Sequence, residues 1–355
     1  MKTLRQSFKK CRLFLGRLYL DRRLAPAVLP LANPRPHIVL VRYDGKIGDY
    51  IVSSFVFREL KKQWPNATLT VLASPKNQSL LAQNPAIDHV HVVTQKNRRS
   101  LRQLGQRLAQ QQPIDVLIDP TEVLRNRDLV LIRACQAKIN AGYDKAHFGL
   151  FNLSVPKNTA HMAEVYQQIL QRLGCPHVDM RYELPDTSAA AAKVAAFLAT
   201  LPSGPILAVN LHGDGRRRQF TPTQAQALIS RLRQLYPQYV VVVLSQPSQK
   251  AAISDLCTQL ADPQVRCLAD TNCIEDTIEI MRHSAGIISP DTAIVHIGAA
   301  LACPMLVFYS DDELNYAKWH PNTAAACQVI RYHDHIDQAD LSLINPSLFT
   351  PKDHP

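Results

Sequence analysis

The sequence predicts an α/β protein built as two doubly wound parallel sheets. Three observations carry that prediction. Apolar runs of strand length alternate with helical segments, the arrangement that buries a parallel sheet on both faces. The alternation stops at an alanine-rich stretch and then restarts. At 355 residues, with 46% hydrophobic and 19% charged side chains, the chain is globular in composition and long enough for two such cores.

In order along the chain, prolines at 26, 30, 34 and 36 form a linker that ends an N-terminal helix. HIVLVR (37–42) is the first strand, and a glycine-bearing loop leads to a helix over about 50–63. Strands follow at 67–74, 87–93, 114–120 and 137–143, with helices at 98–111 and 122–134 between them. The break is the alanine-rich stretch 188–199 with LPSGP (201–205) behind it. Strands resume at 206–213, 239–245, 265–270, 285–289 and 304–310, separated by helices at 222–236, 249–261, 274–284 and 292–301. Ligands of such sheets lie outside the carboxyl ends of the strands, so a cleft between the two domains is the expected binding place. The tail 331–355 has no pattern and is free to cross back to the first domain.

Charge is concentrated at the N-terminus. The net charge is +11, and residues 1–25 hold Lys2, Arg5, Lys9, Lys10, Arg12, Arg17, Arg22 and Arg23 against Asp21 alone. Leu4, Phe8, Cys11, Leu15 and Leu18 recur at helical spacing, which suits a helix lying on an anionic leaflet or equally one packed on the protein's own surface. No aromatic residues interleave with basic ones elsewhere, so nucleic acid is not an expected partner. No run is long enough to span a bilayer, and Arg17, Arg22 and Arg23 interrupt what resembles a signal peptide. The eight cysteines are scattered without a CxxC pair, which predicts reduced, mostly buried thiols in the cytoplasm.

Three strand-to-helix junctions carry candidate chemistry. Asp44-Gly45-Lys46-Ile47-Gly48-Asp49 follows the first strand. Asp49 stands at the helix start, where it can serve as an N-cap or as a carboxylate that takes a proton from a hydroxyl. The dinucleotide fingerprint GxGxxG is absent there, and no acidic residue ends the second strand. Asn210 to Arg218 (NLHGDGRRR) suits a diphosphate, because guanidinium forks bind phosphate in bidentate fashion. Ser289 to His296 (SPDTAIVH) opens a helix whose backbone N–H groups can face an anion, and Thr292 and His296 share a helix face. Arg98, Arg99 and Arg102, with Lys96 and Arg107, form either a solvated helix face or a hold for acidic groups. The pairs His89/His91 and His333/His335 lack a third ligand in sequence, so no metal is assigned.

The order and spacing of these motifs resemble glycosyltransferase family 9, which holds the ADP-heptose:lipopolysaccharide heptosyltransferases. The likeness runs from about 37 to 310 and is densest at IGDYIVSSFVFRELKK and SPDTAIVHIGAALACPMLVFY. It implies a GT-B fold of two Rossmann-like domains facing a central cleft, with the acceptor held by 37–185 and the nucleotide sugar by 205–330. The segment 1–36 is then a basic helix and linker, 186–204 an interdomain helix and 331–355 a tail. The resemblance further implies inversion without metal or other cofactor. Asp49 becomes the base, Asp291 the contact to the sugar, and Gly213, Arg218, Thr292, Ala293 and His296 the surroundings of the diphosphate. Gln249 falls at the ribose and Asn272 near the adenine. Lys46, Arg98, Arg99 and Arg102 are assigned to the acceptor. Three positions depart from the family: Arg218 replaces a lysine, Gln249 a glutamate, and Ala293 the glycine of DTG. The function so implied is heptose transfer from ADP-heptose to Kdo-lipid A or an inner-core acceptor at the cytoplasmic face of the inner membrane. The alternatives are another nucleotide sugar, or a relic that binds without turnover.

Overall fold

In the computed structural model, residues 16–157 and 160–349 are described. The chain divides between Arg181 and Tyr182 into two compact units.

The first unit holds a six-stranded sheet in the order β3-β2-β1-β4-β5-β6. Its strands are β1 (His37–Arg42), β2 (Thr68–Ala73), β3 (His89–Val92), β4 (Val116–Asp119), β5 (Ile139–Tyr143) and β6 (Leu153–Val155). Every neighbouring pair is parallel; His37 lies opposite Thr68, and Ile38 opposite Val116. All six residues of β1 are buried, as a central strand covered on both faces demands. Val39, Val41, Leu72 and Leu117 pack on one face against Leu101 and Leu108 of one helix and Leu129 and Ile132 of another. Those helices are part of a series: α1 (Ile47–Val52), α2 (Ser54–Gln63), α3 (Gln78–Ala82), α4 (Arg98–Gln111), α5 (Asn126–Cys135) and α6 (Met162–Leu173). The single helix expected over 50–63 is two, broken at Ser53. The hydroxyls of Ser53 and Ser54 donate to the carbonyls of Tyr50 and Ile51, taking acceptors that a continuous helix would use.

The second unit repeats the plan with the order β12-β11-β10-β7-β8-β9. The strands are β7 (Ile206–Asn210), β8 (Val240–Leu244), β9 (Val265–Arg266), β10 (Gly286–Pro290), β11 (Met305–Ser310) and β12 (Cys327–Tyr332). Its helices are α7 (Ser188–Leu198), α8 (Pro222–Leu235), α9 (Lys250–Leu260), α10 (Ile274–Arg282), α11 (Ala293–Ala300) and α12 (Glu313–Trp319). The alanine-rich α7 is docked on α10. Thr187 Oγ1 donates to Glu279 Oε2 at 2.5 Å, and Lys193 pairs with Asp276 at 2.6 Å.

The elements β6, α6, α12 and β12 go beyond the sequence reading, and β9 is two residues where six were expected. The tail belongs to the second unit. β12 runs through 331, and Ile336, Ile344 and Phe349 are buried in that unit's core. Of the described cysteines, all free, only Cys135, Cys175 and Cys303 are buried, while Cys273 is exposed. The expected basic helix falls largely on residues 1–15, outside the described residues; helical structure is present at 16–20. Among the described residues no helix is long and apolar enough to cross a membrane.

Candidate active site

Both sheets reverse their strand order once, between β1 and β4 in the first unit and between β7 and β10 in the second. At such a reversal the helices leave in opposite directions and open a crevice at the carboxyl ends of the strands. The sequence-predicted motifs lie at these ends.

In the first unit β1 ends in Arg42, whose side chain is 2% exposed. Gly45 turns the chain at φ 81°, a conformation that favours glycine. Lys46 then occupies the N-cap of α1 without a side-chain capping bond, so Asp49 is in the first turn rather than at the cap. Arg42 Nη1 lies 3.5 Å from Asp44 Oδ2, and Nη2 lies 4.0 Å from Asp49 Oδ2. Lys46 Nζ reaches Asp49 Oδ2 at 3.8 Å from the solvent side. Burial alone would lower the proton affinity of Arg42; Tyr166 and the carboxylates of Asp44, Asp49 and Asp119 reverse this and hold it charged.

Across the reversal, Asp119 ends β4. It is buried, and its Oδ1 accepts from Thr121 N at 2.9 Å and Thr121 Oγ1 at 2.6 Å. Burial pushes its carboxyl up to about 6, against the pull of those bonds and of Lys145. Lys145, itself buried, donates to the carbonyls of Thr121, Glu122 and Tyr143 and ties the β4 and β5 ends together. Tyr43 donates to Asp128 Oδ1 at 2.5 Å, and Lys96 Nζ stands 5.5 Å from the Tyr43 ring. That contact brings the start of α4 to the end of β1. Arg98, Arg99 and Arg102 on α4 are exposed. Asn97 caps this helix through Ser100 N at 2.9 Å, and its first turn carries no acidic residue.

In the second unit, Asn210 at the end of β7 donates to Ser289 Oγ at 3.0 Å and Thr292 Oγ1 at 3.2 Å, bridging the reversal to β10. The loop after β7 folds back on itself. Gly213 N donates to Arg218 O at 2.8 Å, and His212 pairs with Gln219. A Cβ at 213 would meet Arg218 Cβ at 2.6 Å, Arg218 O at 2.9 Å and Thr292 Cγ2 at 3.2 Å, so only glycine fits. The fold-back delivers Arg218 Nη1 to Asp291 Oδ2 at 3.0 Å and to Asp291 O at 3.3 Å. Asn315 of α12 donates to the same Oδ2 at 2.9 Å. Thr292 caps α11 through Ile294 N at 3.2 Å. Ala293 opens that helix with helical backbone, so its methyl brings no strain at this position. His296 is buried between the rings of Tyr182 and Trp319, at 6.5 and 6.0 Å.

Gln249 ends a short 3-10 turn and is half-buried. Asn272 is exposed and accepts from Lys250 Nζ at 2.7 Å, while its own N–H donates to Asp276 at 2.8 Å. The structure thus joins Gly213, Arg218, Asp291 and Thr292 directly, and Asn272 with Lys250 forms a second cluster. Sequence reasoning missed Arg42, Asp119 and Asn315. The first two carried a signal, a charged residue closing an otherwise apolar strand. Among the described residues, no three His, Cys, Asp or Glu side chains are grouped so as to hold a metal.

Residues 101–340 match the model of glycosyltransferase family 9 (heptosyltransferase). The chain belongs to glycosyltransferase family 9. Two Escherichia coli relatives agree with this membership. A candidate lipopolysaccharide heptosyltransferase 4 of strain K12 is 22% identical over 301 residues, spanning 82% of this chain and 80% of its own. Lipopolysaccharide heptosyltransferase 3 is 21% identical over 289 residues, 78% and 84% of the two chains. The fold of this family 9 glycosyltransferase matches that of the E. coli ADP-heptose lipopolysaccharide heptosyltransferase II at TM-score 0.69. That match has 18% identity and covers 88% of this chain and 95% of the other. E. coli heptosyltransferase WaaC with ADP matches at 0.62 and 17% identity, over 86% and 97%. The protein is therefore a glycosyltransferase of the heptosyltransferase family with the GT-B type of α/β fold.

Proposed function

We propose that this family 9 enzyme transfers heptose from ADP-heptose to Kdo-lipid A or a partly built lipopolysaccharide inner core, inverting the anomeric centre without a metal or other cofactor. The observation that carries this is the Arg218–Asp291–Thr292 cluster, in which the loop that Gly213 allows to fold back brings Arg218 to the junction of β10 and α11. It sets a cation, a carboxylate and the start of a helix beside one another, which suits a sugar diphosphate.

In this reading the acceptor hydroxyl attacks the anomeric carbon from the face opposite the diphosphate. Asp49 takes the hydroxyl proton as the new C–O bond forms. The bond to the diphosphate breaks, and the nucleoside diphosphate leaves with its charge held by Arg218 and the N–H groups opening α11. Asp291 accepts from sugar hydroxyls, Thr292, Ala293 and His296 line the diphosphate side, and Gln249 and Asn272 meet the nucleoside. Lys46 and the α4 arginines Arg98, Arg99 and Arg102 bind the anionic acceptor. Cations at the positive end of a helix cost that helix stability, so their placement at the start of α4 suits an anionic ligand better than it suits the helix.

A second reading keeps the chemistry but changes the donor. Gln249 favours it, because an amide offers one acceptor and one donor group to a ribose where a carboxylate accepts from both hydroxyls. The test is a thermal-shift series with ADP, UDP, GDP and CMP, followed by turnover of the Asp49→Ala variant. Stabilisation by ADP alone supports the heptose donor, since a ligand of the folded state raises the melting temperature. Stabilisation by UDP or GDP instead supports the second reading. Asp49→Ala should keep nucleotide binding and lose turnover by about 100- to 10,000-fold; unchanged turnover removes Asp49 as the base.

The membrane assignment also belongs to this proposal. Leu18, Tyr19 and Val28 are exposed apolar side chains, and Arg22 and Arg23 are exposed among them. Apolar side chains beside cations suit the headgroup region of an anionic leaflet at the cytoplasmic face. The chain should sediment with vesicles containing phosphatidylglycerol and stay in solution with pure phosphatidylcholine, and deleting residues 1–25 should abolish the difference. Equal sedimentation of the shortened chain would remove this contact.

A further inference from the structure

Asp291 is held more tightly than its place in a loop requires. Its N–H donates to Phe308 O at 3.0 Å, which fastens the backbone between β10 and β11. Its side chain is 8% exposed. Two donors converge on the same oxygen, Oδ2: Arg218 Nη1 at 3.0 Å from the loop after β7, and Asn315 Nδ2 at 2.9 Å from α12. One donor restrains a carboxylate but leaves its plane free to rotate. Two donors from different elements on one oxygen fix the plane, and so the direction in which the other oxygen faces.

Asn315 is itself locked. Its N–H donates to the N-cap carboxylate of Asp312 at 3.0 Å. The next residue, Tyr316, packs edge-on to Tyr309 at 5.2 Å and carries the Arg331 guanidinium at 4.4 Å over its ring. At the far end of the helix, Tyr309 donates to Trp319 O at 2.7 Å. None of the residues of α12 is buried, yet aromatic and capping contacts hold the helix at both ends. A short helix with no buried face contributes little to the core. What it does contribute is the Trp319 ring beside His296 and a side-chain amide at a fixed place beside Asp291.

We propose that Asn315 is a specificity-determining positioning residue of the donor site, one that fixes the Asp291 carboxylate plane and thereby selects the sugar attached to the nucleotide. This rests on the assignment of Asp291 to the sugar. The amide suits the task. It donates without adding charge, so Arg218 supplies the only formal cation in the pair of donors, and the carboxylate keeps its strength as an acceptor for sugar hydroxyls. A lysine there would neutralise it, and an aspartate would repel it.

The experiment compares a nucleotide with its own sugar conjugate on the full chain: ADP against ADP-heptose, with UDP against UDP-glucose as a second pair. Calorimetric dissociation constants are measured for wild type, Asn315→Ala and Asn315→Gln. Asn315→Ala should bind the bare nucleotide within twofold of wild type and the nucleotide sugar about ten- to a hundredfold more weakly, the span of one lost hydrogen bond to a charged group. Asn315→Gln should recover part of that loss. Its melting temperature should match wild type, because the residue is half-buried on a helix outside the core. Equal weakening of nucleotide and nucleotide sugar overturns the proposal, since Asn315 would then be holding the loop in general. No weakening of either overturns it as well. A wild-type chain that binds neither nucleotide overturns the donor-site reading, and the inference falls with it; the two failures are told apart by the bare-nucleotide measurement.

Discussion

Arg42 and Asp119 face the reversal of the first sheet from opposite strands, and their chemistry shows how burial acts on single residues. Arg42 keeps its charge because carboxylates surround it. Asp119, equally buried, has two hydrogen bonds from Thr121 and an attraction to Lys145, yet desolvation wins and its carboxyl is pushed up to about 6. That value fixes the sign of a pH effect. In the unfolded chain an aspartate titrates near ~4, so folding favours the protonated form. The stability tied to this preference is fully present below about pH 4 and is lost as pH rises through about 6; the roughly two-unit difference corresponds to about 3 kcal/mol. Asp119→Asn keeps the acceptor for Thr121 and cannot ionise. The melting temperature of wild type relative to this variant should therefore fall between pH 4 and pH 7. A constant offset over that range would show that Asp119 does not titrate there. At this scale the sequence was legible only where a motif flagged it: Asp49, Asp291 and Thr292 stood in recognisable junctions. Asn315 in α12 had no motif, because its meaning comes from a partner 24 positions away.

Elements were most legible where one period ran long enough to be seen. HIVLVR and VVVV are buried throughout, and α4 and α8 run nearly as their spacing predicts. The misses have separate causes. α6 had a signal, for Met162, Val165, Tyr166, Ile169, Leu170 and Leu173 are buried at helical spacing; β6 has three residues and had none. β9 stops at Arg266, and the chain runs through irregular and turn residues to α10 instead of extending the sheet. The loop after β7 is the element on which the Arg218–Asp291 cluster depends, and Gly213 is where it closes. A methyl at 213 would meet both the side chain and the carbonyl of Arg218, and backbone cannot yield as a flexible side-chain tip can. Gly213→Ala should cost about 1–3 kcal/mol of stability and displace Arg218 from Asp291. Nucleotide affinity, read by calorimetry, should fall with it. Retained affinity with lowered stability would separate the loop's fold from the binding of phosphate.

At the scale of the whole molecule the division into two doubly wound units followed from the restart of the strand–helix alternation, but the ends of the second unit did not. In sequence its first helix reads as a linker and its last residues have no pattern. Both are packed parts of it. The tail carries no periodic signal because its buried residues, Ile336, Ala339, Ile344 and Phe349, follow neither a helical nor a strand period. They are held instead by tertiary contacts. Tyr236 Oη donates to Asn345 O at 2.5 Å, and Tyr239 Oη donates to Phe349 O. The Phe349 ring packs on Tyr236 at 5.2 Å and fills the space left by Gly286, where a Cβ would come within 2.4 Å of it. Gly286 begins β10, the strand that leads into the Arg218–Asp291 cluster, so the tail supports the sheet beneath that cluster. Phe349→Ala should therefore cost about 3–5 kcal/mol, the range for a large buried aromatic whose cavity cannot collapse. The two units have separate cores, so heat capacity should resolve the loss as an earlier unfolding of the second unit, with the first unchanged. If the Arg218–Asp291 cluster binds the nucleotide, ADP should recover part of the shift, because ligand binding stabilises only the folded form of the unit that holds it. A single cooperative transition that moves as a whole would mean that the two cores do not unfold independently. No change in either transition would mean that the tail is not part of the core.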